Sequence, residues 1–182
     1  GFGTSIIGAF TATSQIENLI QQPFTALGTA IATYTGQNIG AGKMDRIKQG
    51  LFAALKICAI YSLVLLFVFW GFGKIVMNIF VSDMDIIENA VKGIRITSTF
   101  FMALGVSQIL RYLLNGTGDS VYSMANGILE IVCRLVFVFA LTNISFIGQW
   151  GIWWTTAFTW LCTAIFSLWR YKSGKWKQEA KK

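Results

Sequence analysis

Gly36-Gln-Asn-Ile-Gly-Ala-Gly42-Lys43 closes a run of 42 residues that carries one charge, Glu17, and hands over to the cations Lys43, Arg46 and Lys48. A long apolar stretch with one isolated carboxylate is not the core of a soluble domain. It reads as membrane-spanning helix delivered to a wet, charged surface. A carboxylate at the centre of a span costs about 2.5–3.5 kcal/mol on insertion scales. Glu17 is therefore shielded by protein, set in a cavity, or functional.

The rest of the chain extends that pattern. Of 182 residues, 54% are hydrophobic and 13% charged, with one proline, no histidine and a mean hydropathy of +0.59. Soluble domains are about 25% charged. The net charge of +7 does not point to nucleic acid, because the cations neither gather on one amphipathic helix nor alternate with stacking aromatics. Membrane lipid is the expected surroundings. Cys58, Cys133 and Cys162 each sit in apolar runs without a C-x-x-C pair, which suits small buried hydrophobes. The lack of histidine removes the commonest acid–base catalyst, so no enzyme and no metal site are expected. The chain opens on Gly1 inside an apolar run, which reads as a fragment of a longer protein.

Six transmembrane helices fit the roughly 20-residue requirement for a span. They fall at about 1–20, 24–41, 48–72, 88–114, 120–142 and 148–170, with a basic tail over 171–182. Pro23 disfavours helix at Gln22 and sets the first break. Lys43, Arg46, Lys48, Lys56, Arg111, Arg170 and five tail lysines, eleven of the fifteen cations, then lie on one side. That asymmetry predicts a multi-pass inner (plasma) membrane protein with a cytoplasmic C-terminus. Six of seven tryptophans fall near span ends, where amphipathic rings settle.

Glu17 with Thr13, Ser14 and Gln21 forms a polar stripe at i, i+3, i+4 spacing. Facing an aqueous cavity, Glu17, Thr13 and Gln21 would form an ion or substrate site. At a helix end in water, Glu17 would do nothing. Gly28, Ala32, Gly36 and Gly40 recur every fourth residue, a small-residue ridge that lets helices approach closely. Gln37 and Asn38 beside it can hydrogen-bond across helices. Gly40-Ala-Gly-Lys43 is no phosphate loop, since Gln37 stands where the first glycine belongs and Met44 replaces Ser or Thr. Glu130 and Arg134, four residues apart, read as an intramembrane ion pair, or else as a relay or substrate contact. Asp119, after Asn115-Gly-Thr-Gly118, reads as a helix N-cap.

The chain resembles the C-terminal half of the multidrug and toxic compound extrusion (MATE) transporters. Ala12-Thr-Ser-Gln-Ile-Glu17, Pro23, Ala30-Ile-Ala-Thr-Tyr-Thr-Gly-Gln-Asn-Ile-Gly-Ala-Gly-Lys-Met-Asp-Arg46, Asn115-Gly-Thr-Gly118, Glu130-Ile-Val-Cys-Arg134 and Gly148-Gln-Trp-Gly-Ile-Trp153 carry the resemblance. It implies one lobe of a twelve-helix, two-lobe transporter, whose missing N-terminal lobe is a partner. It implies export of cationic small-molecule drugs in exchange for Na+ or H+, with no cofactor beyond the coupling ion. Glu17 would fall on the seventh helix, where some members place an acidic coupling residue. Arg95 to Leu114 carries no acid, unlike the tenth helix of other members. Two alternatives stand beside this reading: a flippase for a lipid-linked saccharide, expected to have a strongly basic cavity, and a non-transporting membrane scaffold, expected to have no vestibule.

Overall fold

A computed structural model describes residues 3–144 and 146–179, the side chains of 178 and 179 excepted. Its described elements are helical: α1 (Thr4–Gly40), α2 (Met44–Phe80), α3 (Met84–Ser98), α4 (Phe101–Gly116), α5 (Ser120–Thr142), a 3-10 turn (Gly148–Trp150), α6 (Gly151–Lys172) and a short α7 (Trp176–Glu179). Six of these helices have fifteen residues or more, so the all-α, six-helix expectation holds. Their division differs from the expected one. By length and composition α2, α5 and α6 can cross a membrane, and α3 with α4 makes a fourth crossing if the bent pair is one span. The start of the first expected span and the end of the basic tail lie outside the described residues.

The break expected at Pro23 is absent, and spans 1–20 and 24–41 are one 37-residue helix. Proline removes one backbone donor, but tertiary neighbours can re-satisfy the freed group. The carbonyl that loses its helical donor is that of Leu19; one residue on, the Tyr61 hydroxyl donates to the Ile20 carbonyl at 3.4 Å. The buried stripe Ile16, Ile20, Phe24, Gly28, Ile31 passes Pro23 at unbroken helical spacing. Phe24, seated edge-on against Tyr61, holds the two halves in line.

The span expected at 48–72 continues to Phe80 across a kink at Phe72, whose φ of −119° and ψ of 15° leave the helix. Arg95 Nη2 donates to the Trp70 carbonyl at 3.0 Å beside that kink. Met77 and Gly73 bury beyond it, so the helix has reason to continue. The span expected at 88–114 is instead two helices bent by 52°. Three successive hydroxyls, Thr97, Ser98 and Thr99, donate to the carbonyls of Ile94, Arg95 and Ile96. Such back-bonding competes with the helical ladder, and the chain turns there.

Central α4 buries Leu104, Ile109, Leu110, Leu113 and Leu114 and touches α1, α2, α5 and α6. Gly116 is essential to this: a Cβ there would lie 2.5 Å from the Ala32 carbonyl oxygen of α1. At the end holding the turns after α1 and α4, Arg170 donates from Nε and Nη2 to Asp119 Oδ2, both at 2.7 Å. Asp119 also caps α5 by accepting from the Tyr122 amide at 3.3 Å, as expected. The link to Arg170 pins the α4–α5 turn to the end of α6.

Candidate functional site

Helix α1 has two polar faces, one covered and one open. On the covered face the expected stripe is packed against protein and does not line water. Thr13 is buried, accepts from the Trp153 indole Nε1 of α6 at 3.0 Å, and donates to the Phe10 carbonyl at 3.0 Å. Glu17, one turn on, is 7% exposed. Its Oε1 has no hydrogen-bond partner. The Thr97 hydroxyl adjoins its carboxylate, and Arg134 is the cation whose charge reaches it. Gln21 is half-buried. The helix end once expected near Glu17 does not exist, because α1 runs straight through.

The open face was missed. Thr11, Gln15, Asn18, Gln22, Thr29, Thr33 and Gln37 are exposed and recur at three- or four-residue intervals, with exposed Ala26 filling the gap between Gln22 and Thr29, on the side away from Ile16 and Ile20. Thr11, Thr29 and Thr33 satisfy their hydroxyls on carbonyls one turn back. The amides of Gln15, Asn18 and Gln37 have no partner among the described residues. Unpaired amides are costly in hydrocarbon, so this face needs water or another protein surface. Its period was legible, but reading outward from Glu17 selected the wrong register.

The small-residue ridge divides in two. Gly28 packs on Tyr112 of α4, where a Cβ would meet the ring at 2.6 Å. Ala32 meets Gly116, and Gly36 sits 3.7 Å, measured from an added Cβ, from the Gly116 carbonyl oxygen. Gly40 has nothing within 4 Å. Asn38 is buried but donates within its own helix, to the Tyr34 carbonyl at 2.8 Å, and Gln37 is exposed. The expected hydrogen bonding across helices is not made by Asn38, because its side chain reaches its own preceding turn first.

Helix α5 buries only Tyr122 and Asn126, so nearly all of it faces outward. Arg134 Nη2 donates to Glu130 Oε1 at 3.2 Å, and both side chains are partly exposed. The pair lies at the open side of the lobe, not inside the bundle. Arg111 of α4 approaches the other Glu130 oxygen at 3.9 Å, a contact between helices that the spacing of the two residues does not signal. Beside it, α1, α4 and α5 enclose a cavity of about 310 Å3 lined by Thr25, Gln108, Arg111, Tyr112, Asn115 and Ser123. Charge and polarity therefore collect on one side of the lobe, between α1, α4 and α5.

The MatE family model matches residues 1–140. The chain belongs to the MatE family. Among MatE relatives it is 26% identical over 178 residues to the probable multidrug resistance protein YpnP of Bacillus subtilis, covering 97% of this chain and 39% of that protein. It is 25% identical over 170 residues to the probable multidrug resistance protein NorM of Thermotoga maritima, covering 91% and 36%. A FAD transporter of Shewanella oneidensis is 25% identical over 134 residues, covering 74% and 29%. The chain thus spans about two-fifths or less of these relatives. A crystal structure of MATE in the bent conformation superposes with a TM-score of 0.86 at 19% identity, covering 99% of this chain and 40% of that one. This MatE chain has the fold of one lobe of such a transporter and is membrane-embedded.

Proposed function

We propose that the chain is one lobe of a secondary active antiporter that exports cationic amphiphilic molecules in exchange for H+ or Na+ by alternating access. The observation that carries this is the pairing on α1 of an open amide-bearing face with a buried Glu17 whose Oε1 has no hydrogen-bond partner. A face of that kind suits the wall of a water-filled path between two lobes that rock against each other. An acid held within the membrane is a default marker of such a path. Of the two ions, a proton suits Glu17 better. A sodium ion would share its single carboxylate with the positive charge of Arg134, whereas a proton neutralises it in place. The cation asymmetry supports insertion in the plasma membrane with the C-terminus cytoplasmic.

The test uses the chain joined to its second lobe, reconstituted in vesicles, with ethidium efflux followed under an imposed pH gradient. Gradient-driven efflux is expected. Glu17→Gln should reduce it at least tenfold while the protein still inserts and folds, with the 182-residue chain alone as the inactive control. Efflux at the parent rate in Glu17→Gln removes Glu17 as the coupling group.

A further inference from the structure

We infer that Arg111 is a seat for an anionic group, a phosphate or carboxylate, on molecules that enter the open side of the lobe. The inference rests on the reading of that side as the cargo path and extends its cargo to molecules that also carry an anionic group. Arg111 projects between α4 and α5 over Gly127, where a Cβ would lie 3.9 Å from Nη2. Its side chain is 36% exposed. The nearest carboxylate oxygen, on Glu130, is 3.9 Å away, beyond hydrogen-bond reach. Glu130 is already engaged by Arg134 at 3.2 Å. Arg134 thus holds the Glu130 carboxylate, and Arg111 makes no hydrogen bond among the described residues.

What Arg111 faces is suited to an anion. The remaining cavity lining, Thr25, Gln108, Tyr112, Asn115 and Ser123, is neutral and supplies hydroxyl and amide donors. The planar guanidinium fork matches a phosphate or carboxylate bidentately, and such charge-assisted bonds are about twice as strong as neutral ones. A cationic group placed there would meet Arg111, and the one acid beside it, Glu130, already accepts from Arg134. Arg111 lies five residues before the end of α4, about 7–8 Å along the axis. Both a soluble anion and a lipid phosphate from the nearby leaflet can therefore reach it.

The experiment titrates riboflavin 5′-phosphate and uncharged riboflavin against the full chain in phosphatidylcholine nanodiscs, following flavin fluorescence, and repeats it in discs containing phosphatidylglycerol. The phosphate form should bind at least tenfold more tightly than riboflavin. Arg111→Gln should abolish that preference and Arg111→Lys keep part of it, with circular dichroism reporting that both variants are folded. If the lipid is the occupant, phosphatidylglycerol will suppress flavin phosphate binding and will co-purify with the parent but not with Arg111→Gln. Equal binding of the two flavins without lipid retention, or a preference that survives Arg111→Gln, overturns the seat. Ethidium export by the two-lobe protein is scored separately: its absence ends the transport reading, while equal flavin binding ends only this one.

Discussion

Helices α1 and α2 have the same length, 37 residues, and lie side by side, yet they expose opposite chemistry. The outward residues of α2 include Ile60, Leu63, Val64, Phe67 and Ile75. Those of α1 include Gln15, Asn18, Gln22, Thr33 and Gln37. Each buries a stripe of small and apolar residues against the lobe, so the difference is in what the other face meets. Facing lipid, α2 gains from the apolar surface that its middle exposes, with Lys56 and Lys74 flanking that stretch. Facing lipid, α1 would leave amides unpaired. In a membrane protein the polarity of the outer face of a helix identifies its solvent, and here it separates an apolar side of the lobe from a side that needs water or another protein surface.

Four outcomes would break or sharpen this contrast in the two-lobe protein. The widest gap is expected in thiol accessibility, with Cys58, Cys133 and Cys162 first replaced. Thr33→Cys should react with a charged, membrane-impermeant maleimide, and Leu63→Cys should stay unlabelled. Equal labelling would erase the distinction between the faces. Next, Phe67→Lys on α2, at a position 72% exposed, should cost about 2.5–3.5 kcal/mol of insertion free energy. Thr29→Lys on α1 should cost far less, as read by the fraction of chain integrated into membranes. Third, Gly116→Ala should destabilise by about 1–3 kcal/mol through overpacking against the α1 backbone, seen as a lower unfolding midpoint in detergent. Smallest is Gly40→Ala, which meets nothing and should gain at most about 1 kcal/mol from helix propensity. A large loss there would restore a ridge running the full length of α1.

Much of the architecture was legible residue by residue. Apolar run lengths, the cluster at Lys43, Arg46 and Lys48, and tryptophans near helix ends each report a preference of single side chains for lipid, water or the interface. Those preferences do not depend on the partner. Pro23 was misread for the opposite reason: its local cost is real, but Phe24, Tyr61 and an unbroken buried stripe outweigh it. Thr97, Ser98 and Thr99 were read through as ordinary helix, although their hydroxyls offered the signal for the bend. At the candidate site Glu17 was legible as the lone acid in an apolar run. Its neighbours Thr97 and Arg134 were not, being 80 and 117 residues away by subtraction of their numbers.

By itself the sequence determined that this chain is helical, lives in a membrane, gathers most of its cations at one surface and carries an acid within the apolar region. These follow from transfer free energies, which belong to each residue and simply add along the chain. Only the tertiary structure decided which face of α1 is open, that Arg134 hydrogen-bonds Glu130 while Arg111 only approaches it, and that Asp119 grips Arg170. Those outcomes depend on which distant helices come to lie within a few ångströms, and no property of a residue in isolation encodes its neighbour.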